Sequence, residues 1–171
     1  MRRIAILVGH GQLPKDLPRE LRSEYFRLRV KHAKTPEEEK RYQELDRTVA
    51  NWPRNAENDP YWHNINKLAG LVREVSGFNE VIAAFNEFCS PTLEEALEYA
   101  CRQGYEKIMV IPTMFIPGGV HSEEEIPEAI EEMKRKYRRD IIYVWPFNLQ
   151  EIAGLITRRL NSSLEGGGEG D

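Results

Sequence analysis

Two histidines and one glutamate follow short apolar runs of the sequence. His10 follows the end of the first run, Glu87 follows the second, and His121 lies in the segment after the third. Imidazole nitrogens and a carboxylate oxygen together suit a borderline divalent ion such as Co²⁺, Fe²⁺, Ni²⁺ or Zn²⁺. The same groups can accept protons. If the three residues converge, they predict a site that binds a divalent metal ion and moves protons.

His10 and Glu87 also have interpretations without a chemical role. The glycines on either side of His10 let the backbone turn sharply and leave the imidazole facing a pocket, but a histidine at a strand end can also serve only as a hydrogen-bonding cap. Glu87 has apolar neighbours, which favours a base or a metal ligand over a solvated loop acid. His32 and His63 follow no strand end, and we interpret both as structural or solvated.

The helix after His121 has two candidate starts. Ser122 followed by three glutamates has the form of a capping box, and with Ser122 as N-cap the helix dipole favours a neutral imidazole at His121. Pro127 has no backbone N–H, so the regular helix can instead begin there, with Glu123 to Glu125 irregular.

The elements that must position these residues are four runs rich in valine and isoleucine, as is typical of strands buried on both faces. The runs are Ile4 to Val8, Val81 to Phe85, Ile108 to Pro112 and Ile141 to Trp145. Helical patterns separate them, which predicts a mostly parallel sheet with helices on both faces. In such folds ligands bind at the carboxyl ends of the strands, where the two histidines and Glu87 would meet.

Capping signals and apolar faces mark the helices around the later strands. Thr92 and Glu95 form a capping box for a helix that Gly104 ends. A helix that ends at Gly77 precedes the second strand, and another apolar helical face, from Leu149 to Leu160, follows the last one.

About 50 residues separate the first strand from the helix near Asn64, far more than a usual connection between a strand and a helix. Of residues 12–58, 20 of 47 are charged, yet apolar residues recur at helical spacing. Thr35-Pro36-Glu37-Glu38 is a helix start. We therefore predict one α/β domain over 1–161 with a helical hairpin inserted at about 12–58, and a disordered tail over 162–171.

Composition excludes several classes of protein. The net charge of −4 disfavours a general nucleic-acid binder, and no apolar stretch approaches the length that spans a bilayer, so we expect a cytoplasmic protein with no membrane segment. Cys89 and Cys101 match no zinc spacing and are interpreted as small buried thiols.

Taken together, the motifs resemble the sirohydrochlorin chelatase family, the short class II chelatases that insert cobalt or iron into sirohydrochlorin without ATP. The resemblance covers roughly residues 3–11 and 78–135. It rests on Ile6 to Gly11, Ala84 to Phe88 with Ser90 to Leu97, Val110 to Pro112, Gly118 to His121, and Glu125 to Pro127. Gln12 and Glu125 stand where the family has serine and aspartate, and the inserted hairpin is a large departure.

The resemblance implies a three-layer chelatase-like α/β sandwich and a homodimer. It makes His10 and His121 the metal-handling histidines and places Glu87 at the family's acidic position. The substrates would be sirohydrochlorin or a related tetrapyrrole and a divalent ion, with Co²⁺ expected first and Fe²⁺ or Ni²⁺ as alternatives. Such a reaction belongs to cobalamin or siroheme biosynthesis and needs no permanently bound cofactor.

A polycarboxylate macrocycle needs cationic and N–H donors at its rim. The first helix of the insertion has arginines that could bind this rim. Alternatively, the same arginines form an ordinary solvated helix face. We predict substrate binding by Gly11, Gln12, Phe115, Gly118, Gly119, Arg19 and Arg22.

Two other functions are compatible with parts of the sequence. Histidine phosphatases also place a histidine after their first strand, but Gly9 stands where their phosphate-binding arginine belongs, and no histidine follows the last strand. A non-catalytic carrier of metal or tetrapyrrole would keep both His10 and His121, and differs from a chelatase only in turnover.

Overall fold

The computed structural model describes residues 1–165, in which four strands form a single parallel sheet. The strands are β1 (Arg3–Gly9), β2 (Glu80–Phe85), β3 (Lys107–Pro112) and β4 (Ile141–Tyr143), in the spatial order β2-β1-β3-β4. All four begin within one residue of the predicted runs. Strand β4 ends two residues earlier than predicted, just before a Trp145-Pro146 pair whose proline has no N–H to donate.

Within residues 1–165, six α-helices accompany the sheet. They are α1 (Arg19–Arg29), α2 (Pro36–Ala50), α3 (Pro60–Ser76), α4 (Leu93–Arg102), α5 (Ile126–Tyr137) and α6 (Leu149–Glu165). The predicted capping boxes at Thr35 and Thr92 both form, and Gly77 ends α3 in the left-handed conformation.

Helices cover both faces of the sheet, which confirms the predicted three-layer α/β fold. Helices α4 and α5 pack against one face in a core that includes Ile4, Ile6 and Ile108. Helix α3 packs against the other face, where Ala69 contacts the cluster of Ala5 and Leu7. The central strand β1 is therefore buried on both sides.

The inserted segment contains α1 and α2, which pack against each other around Tyr25, Leu28 and Leu45. Phe88, from the loop between β2 and α4, joins the same cluster and has a left-handed backbone with φ 62°. The backbone N–H of Ser90 in this loop donates to the carbonyl of Ala50 at the end of α2. The hairpin is thus packed against the loop that carries Glu87.

A buried ion pair holds the far end of the insertion. Asp59 is fully buried, caps the first turn of α3, and accepts from Arg54 Nε at 2.9 Å and from Gln12 Nε2 at 3.0 Å. Arg54 also donates to the carbonyl of Phe88. One carboxylate thereby joins the insertion, the loop after β1 and helix α3.

The segment after His121 differs from the capping-box prediction. His121 to Glu125 form a π-helical turn with no side-chain cap, so Ser122 is not an N-cap, and the regular helix α5 begins at Ile126. Pro127 accounts for the difference, because a residue without an N–H is best placed in the first turn of a regular helix. This agrees with the second candidate start.

Helix α6 and strand β3 each differ from the sequence prediction. Helix α6 extends to Glu165, so residues 162–165 of the predicted disordered tail are helical, while the remaining residues, 166–171, lie outside the described part of the chain. Strand β3 has only every second residue buried, although we predict burial on both faces. The reason is that α3 covers β1 and β2, whereas α6 leaves its apolar side chains exposed.

Over residues 1–165, no helix combines the length and the apolar character that crossing a membrane requires.

Candidate metal centre

His10, Glu87 and His121 meet at the carboxyl edge of the sheet. Their ligand atoms all lie within 4.8 Å of one another. The two imidazole rings meet edge to face, with centroids 4.9 Å apart. Parallel pairing explains the approach, because Gly9 is level with Phe85 and Val8 with Pro112, so the segments after three adjacent strands begin side by side.

The backbone fixes His10 and Glu87 relative to each other. The N–H of Glu87 donates to the carbonyl of His10 at 2.9 Å, which extends the pairing of β1 and β2 by one step. Gly11 has φ +88°, and a Cβ built there would lie 1.9 Å from the carbonyl oxygen of Glu87. Only glycine permits so close an approach of these two backbones. The backbone therefore requires glycine at position 11. Substrate binding by Gly11 stays a prediction.

The hydrogen bonds of His10 define which ring nitrogen is available. Its Nδ1 lies 2.9 Å from the carbonyl oxygen of Gly11, which can only accept, so Nδ1 carries the proton. The Nε2 lone pair then faces Glu87, whose Oε2 is 3.8 Å away, a gap too long for a hydrogen bond. The main-chain N–H of His10 donates to the hydroxyl of Tyr61 on α3. His10 thus directs its Nε2 toward the space between the three residues.

His121 is oriented by a carboxylate that the sequence interpretation did not assign. Its Nδ1 lies 2.6 Å from Oε2 of Glu125, one turn later. A carboxylate that accepts from one ring nitrogen leaves the other free as a ligand and increases its basicity. The i,i+4 spacing of His121 and Glu125 is the sequence signal for this pair, whereas the motif and the helix start use Glu125 for other purposes.

Replacing Glu125 with glutamine is expected to weaken metal binding about 10- to 100-fold, because the amide stabilises the imidazole of His121 less well than a carboxylate does. Isothermal titration with Co²⁺ measures this effect. Glu124→Gln removes the same charge from the neighbouring exposed position and is the matched control. Equal affinities of the two variants would show that Glu125 does not orient His121.

Glu87 is not the solvated loop acid of the alternative interpretation. Its side chain is 22% exposed, and its Oε1 accepts from Nη2 of Arg29 at 2.5 Å. Arg29 is the last residue of α1, so the insertion reaches the metal centre directly. The sequence contained no signal for this pair, because 58 residues separate its members.

The predicted substrate-binding residues do not all lie together. Gln12 binds Asp59, and Arg22 donates to the carbonyl of Pro14. Arg19 and Arg22 belong to the first turn of α1, about 10 to 15 Å along the helix from Arg29 at 1.5 Å per residue.

The predicted residues after β3 lie in the segment that leads to His121. Gly118 has φ +100° and its N–H donates to Glu123, while Gly119 accepts from Ser122 at the start of the π-helical turn. Both glycines thus shape the backbone that holds His121.

Phe115 belongs to an aromatic cluster that extends to the segment after β4. Its ring meets that of Phe147 at 5.0 Å, and Phe147 in turn meets Trp145. Trp145 Nε1 donates to Glu123, and Tyr143 donates to the carbonyl of Ser122, so the cluster is joined to the turn that carries His121. Burial raises the pKa of Tyr143 to about 12, which keeps this donor protonated. Partly exposed aromatic side chains beside a metal centre can stack on a flat ligand.

Both cysteines are buried free thiols, as predicted, and burial raises the pKa of each. His32 and His63 are exposed and, among residues 1–165, belong to no cluster of potential metal ligands.

Comparisons with known proteins agree with this fold. The CbiX family model matches residues 57–163. That range contains Glu87 and His121 but not His10 or the helices α1 and α2.

Two curated relatives are chelatases by name. The sirohydrochlorin cobaltochelatase of Methanopyrus kandleri is 38% identical over 66 residues, which cover 39% of this chain and 46% of the relative. The sirohydrochlorin ferrochelatase of Priestia megaterium is 30% identical over 81 residues, which cover 46% of this chain and 30% of the relative. The chain spans less than half the length of either protein.

Among solved structures, a putative cobalamin biosynthesis CbiX protein from Marinobacter aquaeolei matches with a TM-score of 0.55 and 19% identity, over 95% of this chain and 98% of that one. At this identity the likeness establishes the fold.

Proposed function

The chain belongs to the CbiX family, and from this premise we propose that it inserts a divalent metal ion into sirohydrochlorin or a closely related tetrapyrrole, without ATP. The observation that carries the proposal is the convergence of two imidazole nitrogens and one carboxylate at the carboxyl edge of the sheet. The names of the relatives support the substrate class.

Metal insertion requires that the ion lose water, be held weakly enough to be passed on, and replace two pyrrole N–H protons. In the proposed reaction Nε2 of His10 and Nε2 of His121 bind the ion, with Oε2 of Glu87 as a third ligand. When the ion moves to the macrocycle, the two imidazoles become free and can accept the pyrrole protons. Glu125 and Glu87 stabilise the resulting imidazolium rings, since each lies beside one of them.

The macrocycle is proposed to lie against Phe115, Trp145 and Phe147, whose rings are next to the turn of His121. We propose Co²⁺ as the preferred ion, with Fe²⁺ or Ni²⁺ as alternatives. Of the two relatives described above, one is named a cobaltochelatase and the other a ferrochelatase.

The test is an anaerobic absorbance assay of sirohydrochlorin with Co²⁺, Fe²⁺ and Ni²⁺ in turn, with the uncatalysed rate subtracted. We expect many turnovers for each protein molecule and a different rate for each of the three ions. Stoichiometric binding of metal or tetrapyrrole, with no increase in the rate of metal insertion, would overturn the proposed chelatase activity. That result would favour a non-catalytic carrier of metal or tetrapyrrole. Binding of phosphate or vanadate, together with indifference to Co²⁺, would instead favour a phosphatase.

We also propose that the protein acts as a homodimer. Within residues 1–165, the leucine and isoleucine side chains of α6 remain mostly exposed, including Leu155, Ile156 and Leu160. On the sheet, Met109, Ile111 and Ile142 are only partly buried. An exposed apolar helix face and a partly open apolar sheet face in one chain support reciprocal packing of α6 between two copies.

Introducing a charge by Leu160→Glu is expected to weaken the dimer by at least about thirtyfold, because a carboxylate would have to be buried at the interface. Sedimentation equilibrium measures the dissociation constant. Asn161→Glu adds the same charge to the neighbouring position, away from the apolar row, and should leave the dimer intact. A wild-type protein that sediments as a monomer would contradict the proposal.

A further inference from the structure

Arg29 connects the inserted hairpin to the metal centre. Its Nη2 lies 2.5 Å from Oε1 of Glu87, and both side chains are mostly shielded from water, at 29% and 22% exposed. A guanidinium and a carboxylate at this distance in a partly buried setting interact more strongly than an exposed pair.

Arg29 is itself held in place by the core of the hairpin. Its Nη1 donates to the hydroxyl of the fully buried Tyr25 at 3.1 Å, and that hydroxyl donates to Asp46 at 2.8 Å. The guanidinium also lies over the ring of Phe88, 4.6 Å from its centroid. Burial disfavours the charge of Arg29, but the bond with Tyr25 and the charge of Glu87 outweigh this and raise its pKa. The arginine is a fixed cation with little freedom to move.

This arrangement limits how Glu87 can bind a metal ion. Oε1 is occupied by the guanidinium, so only Oε2 faces the imidazoles. The adjacent positive charge also withdraws electron density from the carboxylate and repels a divalent cation. Glu87 can therefore act as a one-oxygen ligand of reduced strength.

We propose that Arg29 is a positioning residue that keeps Glu87 a weak, single-oxygen metal ligand, so that the ion is released to the macrocycle rather than retained. The inference rests on the proposed function and adds a role for the insertion, since Arg29 lies outside the range that the family model matches. It also explains why a hairpin with its own core packs against the loop of Glu87.

The test compares the affinity for Co²⁺ alone with the rate of insertion. Without Arg29, both oxygens of Glu87 become available and the repulsion disappears, so Arg29→Gln should bind Co²⁺ about tenfold more tightly. Its kcat for insertion should fall while the KM for the metal also falls. A merely structural role would instead weaken binding, because a displaced Glu87 is a poorer ligand.

Three further variants define the effect. Arg29→Lys retains the charge and should stay near wild type in Co²⁺ affinity. Tyr25→Phe removes the bond that orients Arg29 and should shift the affinity in the same direction as Arg29→Gln, by less. Arg41→Gln removes another ion pair of the hairpin, with Glu24, and should change neither binding nor turnover. Because Tyr25→Phe preserves packing, it carries the test if Arg29→Gln does not fold.

Unchanged or weaker Co²⁺ binding by a folded Arg29→Gln variant would overturn the inference. That result leaves the proposed function intact if the wild-type protein still turns over. A wild-type protein that binds no Co²⁺ would overturn the metal centre itself and the role of Arg29 with it.

Discussion

Replacing His121 with alanine should lower the rate of metal insertion by about 100- to 10,000-fold, the range typical of losing a group that transfers protons. The variant loses a metal ligand and a proton acceptor together, and it leaves Glu125 without the ring that it orients. His10→Ala should have an effect of the same size, because its Nε2 faces the same space.

The double variant His10→Ala with His121→Ala should be little worse than either single variant, since residues that act as a unit are not additive. Initial rates of absorbance change measure all three. His63→Ala, an exposed histidine on α3, is the control and should retain full activity. Activity above one tenth of wild type in either single variant would remove that histidine from the mechanism.

Replacing Asp59 with alanine should lower the free energy of unfolding by about 3 to 5 kcal/mol, because it leaves the buried charge of Arg54 without its partner. The substitution also removes the cap of α3 and an acceptor for Gln12. Since Arg54 donates to the carbonyl of Phe88, the loop of Glu87 should become less ordered as well.

Urea denaturation followed by circular dichroism measures the loss. Glu57→Ala, an exposed acid two residues earlier, should change stability by less than about 0.5 kcal/mol. A similarly small loss for Asp59→Ala would show that the network does not hold the insertion in place.

The parallel sheet was predictable because β1, β2 and β3 are continuous runs of apolar residues, and the convergence of the two histidines with Glu87 follows from parallel strands ending at one edge. The helix starts at Thr35 and Thr92 were equally predictable, since a capping box is a local pattern of four residues.

Other features depend on contacts between distant residues. The pairs of Arg29 with Glu87 and of Gln12 with Asp59 join segments 58 and 47 residues apart, and side-chain chemistry alone does not select these partners. The exposure of the apolar side chains of α6 could not be predicted from the sequence either. Their helical spacing is the same whether this face packs within one chain or against another.

The π-helical turn at His121 shows a competition between two local signals. Ser122 and Glu125 fit a capping box, yet Glu125 instead binds His121, and Pro127 takes its place in the first turn of α5. The capping-box pattern predicts that Glu125 accepts from a backbone N–H, but its carboxylate binds the imidazole of His121.

The most direct test of the metal centre is anomalous diffraction from crystals of the protein loaded with Co²⁺. We expect one strong peak about 2.1 Å from Nε2 of His10 and Nε2 of His121, with one oxygen of Glu87 as a further ligand and Arg29 still bound to the other oxygen. A peak held by other residues, or one in contact with neither imidazole, would contradict this expectation.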